Sequence, residues 1–232
     1  MNRKFNENDK IGDIVTEFPN ASDIFYKYNI DFCCGGNRPL SDAILAQKLD
    51  GSQLLEDLNN KYQEFTEKNN EFVDWAKESS GKLIDYIVNT HHAYLREELP
   101  RISEYVFKIL KVHGKSHKEL FKVHKLFNNL RIELEEHLVK EEEFIFPQIR
   151  QYEREGNADD KNRLLNLINE LEQEHTGAGD IITELREVTD HYSVPKDACG
   201  SFKITYEKLK EVELDLFQHI HLENNILFKN LR

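Results

Sequence analysis

Glycine and proline are scarce in this chain, at ten and five of 232 residues. So few turn formers leave little room for the many tight corners of an all-β fold. Cysteine is scarcer still. Cys33, Cys34 and Cys199 are too few and too oddly placed for a disulfide framework, which points to a reducing compartment. Positive charge is in deficit: 31 Lys and Arg stand against 43 Asp and Glu, a formal net charge of −12. That balance provides no continuous cationic surface to neutralise phosphates, so nucleic acid and anionic membranes are excluded as partners. No run reaches the roughly 18 apolar residues of a membrane span, and the opening MNRKFNENDK has no apolar signal core. The expectation is an acidic, soluble, cytoplasmic protein of the all-α class.

What is present divides along the chain. Residues 1–58 read as a small helical domain in which short apolar segments alternate with punctuation. IGDIVTEF precedes Pro19, SDIFYKYNI follows, then a tight DFCCGGNRP, then SDAILAQKL and GSQLLEDL. Three or four short helices fit, with Ser41 and Ser52 as N-caps. Residues 59–80 are polar and read as a link, whose Phe65, Phe72 and Trp75 give it something to pack with.

Residues 81–232 carry four long apolar stripes. The first runs Ile84, Val88, His92, Leu95, Leu99, Ile102, Val106, Ile109. The second runs Leu120, Val123, Phe127, Leu130, Leu134, His137, Glu141, Phe144. The third runs Leu164, Ile168, Leu171, His175, Ala178, Ile182, Leu185, and the fourth Leu209, Val212, Leu216, His219, Glu223, Ile226. Steps of three and four keep each stripe on one helical face. The breaks carry turn residues: His113-Gly114-Lys115, then Ser116 three before Glu119 as a capping box, Gly156-Asn157, and Val194-Pro195-Lys196. Four such helices with short links predict an antiparallel four-helix bundle.

Each stripe carries histidine, and two carry glutamate, where leucine belongs. Residues four apart lie one turn apart on one face, so His137 with Glu141, and His219 with Glu223, can chelate a metal together. Without a partner these groups would be ruinous. An uncompensated buried carboxylate costs on the order of several kcal/mol, against roughly 1.5–3 kcal/mol gained by a buried leucine. A metal satisfies imidazole and carboxylate at once. An internal repeat supports this: HLVKEEEFIF at 137–146 aligns with HIHLENNILF at 219–228, and His92 and His175 precede these by 45 and 44 residues. Four imidazoles and two carboxylates exceed what one tetrahedral ion needs and suit two metals bridged by the glutamates. The mixed set favours iron, with manganese and zinc as alternatives, and leaves a position open to a small ligand. A lone histidine on a helix is usually structural or solvated, but six polar residues on core stripes in a two-fold repeat are not. Phase selects His92 over His91 and turns His221 outward. His113, His117, His124 and His191 read as solvated or partner-facing, and Cys199 as a small apolar residue near the start of the fourth helix.

These residues resemble a known family. The long domain is similar to hemerythrin-like di-iron bundles. Preceded by ASDIFYKYNIDFCCGG, it resembles the repair-of-iron-centres (RIC) family of iron–sulfur cluster repair proteins. HHAYLREELP, HLVKEEEFIFP, the EQEH before Thr176 and HIHLENNILF carry the likeness through the chain. Lys229 departs from the family, which commonly has proline there. The resemblance implies two iron ions on His92, His137, Glu141, His175, His219 and Glu223, the six that the stripes select independently. It also implies repair of clusters damaged by nitric oxide or oxidants, by nitric oxide reduction, iron delivery, or both. Damaged iron–sulfur proteins, nitric oxide or oxygen, a reductant of unknown identity and a second copy of the chain are the implied partners. A hemerythrin-type oxygen or nitric oxide carrier is the alternative, although hemerythrin proper uses five histidines against four here.

Vicinal Cys33-Cys34 is the second point of chemistry. Adjacent cysteines close only a strained ring, so a disulfide between them is easily reduced. Gly35-Gly36 would expose a thiol at the turn. Two readings stay open: a thiol or redox role serving the iron site, or a buried structural pair.

Overall fold

The computed structural model describes residues 4–67, 73–156 and 158–232. The protein is all-α; among the described residues there is no strand, and a single bridge joins Lys10 to Pro39. No described helix is long and apolar enough to cross a membrane. The chain forms two compact units: Met1–Leu83 together with Phe217–Arg232, and Ile84–Leu216.

The first unit begins with four helices: α1 Ile11–Glu17, α2 Ala21–Lys27, α3 Leu40–Gln47 and α4 Gly51–Glu67. Their core is Ile11, Ile14, Phe18, Phe25, Leu40, Leu54 and Leu58, all without solvent exposure. Each contributes roughly 1.5–3 kcal/mol relative to an exposed position. Helix ends follow from backbone chemistry more than from serine caps. Pro39, not Ser41, occupies the N-cap of α3. The Asp50 carboxylate, not Ser52, accepts the N–H of Gln53 at 3.1 Å at the start of α4. Asn29 and Lys48, at φ of 53° and 55°, stop α2 and α3 in the left-handed region.

The sequence read as a link, 59–80, holds the second half of α4, a 3-10 turn at Trp75–Lys77 and the start of α5, Ser80–Ile87. Phe65 lies 5.2 Å from the Phe18 ring; Phe72 lies outside the described residues.

The second unit is a four-helix bundle. Helix α5 runs through a π turn, Val88–His92, into α6, Ala93–His113. Helix α7, Glu119–Lys140, runs through a π turn, Glu141–Ile145, into α8, Phe146–Glu155. Helix α9 spans Ala158–Val188, and α10 spans Gly200–Leu222 before a third π turn, Glu223–Leu227. The α10 residues up to Leu216 belong to this unit and the rest to the first. Helix α7 packs on α6 and on α9. Helix α10 closes the ring through Lys208–Glu98 at 3.1 Å on α6 and through buried Glu213, which pairs with half-buried Arg186 on α9. Gly156, at φ 66°, ends α8 as expected of a left-handed C-cap; Asn157 lies outside the described residues.

The stripes are the core, with two exceptions. Val88, which opens a π turn, is half-buried beside fully buried Ile87. Phe144 is 62% exposed while Ile145 and Phe146 are buried. A π turn holds more residues per turn than an α-helix, so the apolar phase slips as the chain passes Glu141.

Ser116 forms no capping box; its hydroxyl donates to the His113 carbonyl at 3.2 Å. His117 fills that corner instead, held by Glu119 at 2.9 Å and Asp197 at 3.1 Å. Asp197 first, then Glu119, raises the His117 pKa above its usual 6.5. A raised folded-state pKa stabilises fully below about 6.5 and is lost as pH climbs through the raised value. His117→Gln is therefore expected to cost stability mainly on the acid side, measured by denaturant melts across pH. A cost independent of pH would contradict the pairing.

Candidate metal centre

Four of the six sequence-selected ligands come together within the second unit. The π turn of Val88–His92 brings His92 to full burial, and the next π turn begins at Glu141, likewise fully buried. The His92 Nε2 lies 3.3 Å from Glu141 Oε2, and the His137 Nε2 lies 3.3 Å from Glu141 Oε1. One carboxylate thus shows a separate oxygen to each of two imidazoles. From α9, His175 Nε2 approaches His137 Nε2 to 3.0 Å. Ligand atoms of His137, Glu141 and His175 all lie within 4.8 Å of one another.

The other two sequence-selected residues lie in the first unit's part of the last helix. His219 Nε2 is 3.1 Å from Glu223 Oε1, and Glu223 opens the third π turn. Both are buried. Three of the four long helices thus change pitch at a candidate ligand, as π turns do at many functional sites.

Two carboxylates unremarked in the sequence orient the rings. Glu142 takes the His92 Nδ1 hydrogen at 2.6 Å and the Arg96 guanidinium at 2.8 Å. Burial alone would raise its carboxyl, but Arg96 and His92 together hold it below the ordinary range. Glu174 takes the His137 Nδ1 hydrogen at 2.7 Å and the Lys140 ammonium at 2.7 Å. His137 first, with Lys140 assisting against burial, holds Glu174 down to about 2.

With Nδ1–H donated outward, a neutral ring turns an Nε2 lone pair inward. Inside the cluster, lone pairs therefore face carboxylate oxygens and one another. A cation resolves such a set, and the spacing suits one: two ligands at right angles, each about 2.1 Å from an ion, lie about 3.0 Å apart. The donor set fits a metal.

The description "Hemerythrin HHE cation binding domain" matches residues 83–231. The chain belongs to this hemerythrin family. A second match, ScdA_N, described as a domain of unknown function, covers residues 7–62. An "Iron-sulfur cluster repair protein ScdA" of Staphylococcus haemolyticus is 34% identical over 94% of this chain and 95% of its own length. An "Iron-sulfur cluster repair protein YtfE" of an Enterobacter species is 33% identical over 94% of each chain. A "Probable iron-sulfur cluster repair protein" of Haemophilus influenzae is 33% identical over 94% of each.

Around these six residues, the neighbouring histidines take other partners. His91 turns to Asp215 at 2.9 Å. His221 does lie off the His219 face, but it is buried, not solvated. Phe32 packs against its ring at 6.0 Å, and Asn225 lies 3.3 Å from its Nδ1. That burial pulls its pKa down to about 4.

In the first unit, Cys33 is buried and Cys34 half-buried, so the glycine turn exposes neither thiol fully. The Cys34 contact, then burial, then Asp31 push the Cys33 thiol up. Cys199 is exposed, not an apolar filler; His113 at 3.2 Å pulls its thiol down to about 7.

In a hemerythrin-type site the orienting carboxylates are worth testing directly. Glu174→Gln keeps the shape but weakens the hold on the His137 Nδ1 hydrogen. It is expected to lower metal affinity about 10–100-fold, read by competition with a chelator. Unchanged affinity would make Glu174 a surface residue only.

Proposed function

We propose that the chain repairs damaged iron–sulfur clusters, holding two iron ions on His92, His137, Glu141, His175, His219 and Glu223. One observation carries the reading. Fully buried Glu141 offers one oxygen to His92 and the other to His137, each at 3.3 Å, the arrangement of a carboxylate shared by two metal positions. The internal repeat assigns the same part to Glu223. The names of relatives alike over nearly their whole length support repair as the task.

Bound iron would supply redox capacity and open positions for a small ligand such as nitric oxide. The protein's own groups do the rest. Glu142 and Glu174 hold the His92 and His137 rings with Nε2 inward. The Phe146 ring stacks on His92 at 5.7 Å and helps to keep water from it. Arg96 and Lys140 offset the charge of the orienting carboxylates.

Residues 81–232 are the iron-holding domain of this reading, 59–80 the link, and 1–58 the domain that brings Cys33 and Cys34, in a chain working in the cytoplasm. Its clients are damaged iron–sulfur proteins, with an external reductant and association of two copies as further parts. The oxygen-carrier alternative is not carried forward, because the relatives are named for repair.

The test is restoration of an iron–sulfur enzyme inactivated by nitric oxide, incubated anaerobically with the ferrous protein and reductant. Recovery is expected with the wild type and not with Glu141→Ala. Nitrous oxide release, or passage of labelled iron despite a chelator, then separates nitric oxide reduction from iron delivery. Recovery equal to that with free ferrous iron would overturn the proposal.

A further inference from the structure

A second group of donors lies in the first unit, on the turn between α2 and α3. We propose that Asp31, Cys33 and Cys34 form a three-donor site for a thiophilic divalent cation, with its fourth position open. The three side chains present ligand atoms within 4.8 Å of one another. The separations match a single ion. Two thiolates on a tetrahedral ion, each about 2.3 Å from it, lie about 3.8 Å apart, and a carboxylate oxygen about 2.0 Å from it lies about 3.5 Å from either sulfur. Here the two Sγ atoms are 3.9 Å apart, and Cys33 Sγ is 3.3 Å from Asp31 Oδ1.

The donors are held before any ion arrives. Asp31 Oδ1 accepts the N–H groups of Cys33 and Cys34 at 3.0 Å each, and Oδ2 accepts that of Gly35 at 2.8 Å. From the third π turn, Asn225 Nδ2 donates to the carbonyls of Cys33 at 2.9 Å and Phe32 at 3.2 Å. Gly12 N–H donates to the Gly36 carbonyl at 2.7 Å, closing the turn against α1. A turn fixed on both sides loses little freedom on binding.

The chemistry balances simply. The Cys33 thiol lies within hydrogen-bond reach of both Asp31 Oδ1 and Cys34 Sγ, and the ion takes the place of its hydrogen. Two metal–sulfur bonds form as the two S–H bonds break, both protons pass to water, and no electron moves. Two sulfurs and one oxygen select zinc, cobalt or ferrous iron over magnesium or calcium. Asp31 is exposed and Cys34 half-buried, so the cluster has a solvent side. Three protein donors with a fourth position open describe a site that can accept and release an ion, unlike a closed structural site. The proposal does not depend on which residues hold iron in the bundle.

Cobalt is the probe, added to the full chain kept reduced by a phosphine. Thiolate-to-cobalt charge-transfer absorption is expected to plateau at the intensity of one thiolate-bound cobalt per chain, beyond the cobalt that the bundle itself takes up. It should vanish in Cys33→Ser/Cys34→Ser and persist in both Cys199→Ser and His137→Ala/His219→Ala. Asp31→Asn keeps an oxygen for the N–H groups of Cys33 and Cys34 but not for that of Gly35, and is expected to weaken binding about tenfold while leaving the band. Cys34→Ser alone, at a half-buried position, is expected to remove one sulfur's share of the band and decides the matter if the double variant fails to fold. No charge-transfer band, or a band lost in Cys199→Ser and kept without Cys33 and Cys34, would overturn the site.

Discussion

Glu141→Leu is expected to abolish tight metal binding while leaving the metal-free protein as stable as the wild type or more so. Glu141 is fully buried, and its two oxygens face two different imidazoles at 3.3 Å. Losing an orienting carboxylate alone costs about 10–100-fold in affinity, so losing the proposed shared ligand is expected to cost more than about a hundredfold at both positions together. Stability moves the other way. A carboxylate buried among imidazoles is costly without an ion, and well-packed apolar replacements of buried ionic groups are often neutral or stabilising by about 1–4 kcal/mol. Calorimetry of the metal-free and iron-loaded forms checks both halves. The wild type should gain stability on loading and Glu141→Leu should not. A variant that loses several kcal/mol without metal, or still responds to iron, would mean that Glu141 is a structural core residue.

Gly36→Ala is expected to destabilise the first unit by about 1–3 kcal/mol, the usual cost of forcing extra volume into a packed site. A Cβ at Gly36 would stand 2.4 Å from Asn225 Oδ1 and 2.6 Å from the Phe32 carbonyl oxygen. The side chain can yield a little, but the carbonyl belongs to the turn that holds Cys33. Gly12 faces the same amide, also at 2.4 Å. Gly179 is the control: inside α9, an added Cβ meets nothing within 4 Å. Gly179→Ala is expected to stabilise by about 0.4–1 kcal/mol. Equal effects of the two substitutions in denaturant melts would contradict the packing of Asn225 into this seat.

The six candidate ligand residues stand out because burial and charge conflict openly in the sequence. Histidine and glutamate at leucine positions on four stripes leave few physical resolutions, and the repeat of 137–146 at 219–228 narrows them further. Helix pitch was not legible in the same way. Spacings of three and four describe an α-helix whether or not a π turn interrupts it, so the exposure of Phe144 could not be read from its place on the stripe. Its repeat partner Ile226 occupies the matching place in a π turn and is buried, because α1 packs against that turn. His221 is the same lesson: phase placed it off the His219 face, but only the fold shows that Phe32 covers it. Glu142 and Glu174 were hidden by composition, one in a run of three glutamates and the other beside His175. A carboxylate that orients a neighbouring helix's imidazole has no spacing signature of its own. Serine misleads in the opposite direction, since Pro39, Asp50 and Lys118 occupy the helix starts that Ser41, Ser52 and Ser116 suggest.

The most direct test of the central claim is the metal content of anaerobically purified protein, set beside His137→Ala/His219→Ala. The account predicts two irons per chain in the wild type and neither in the variant. A single zinc per chain, or iron unaffected by the two substitutions, would contradict it.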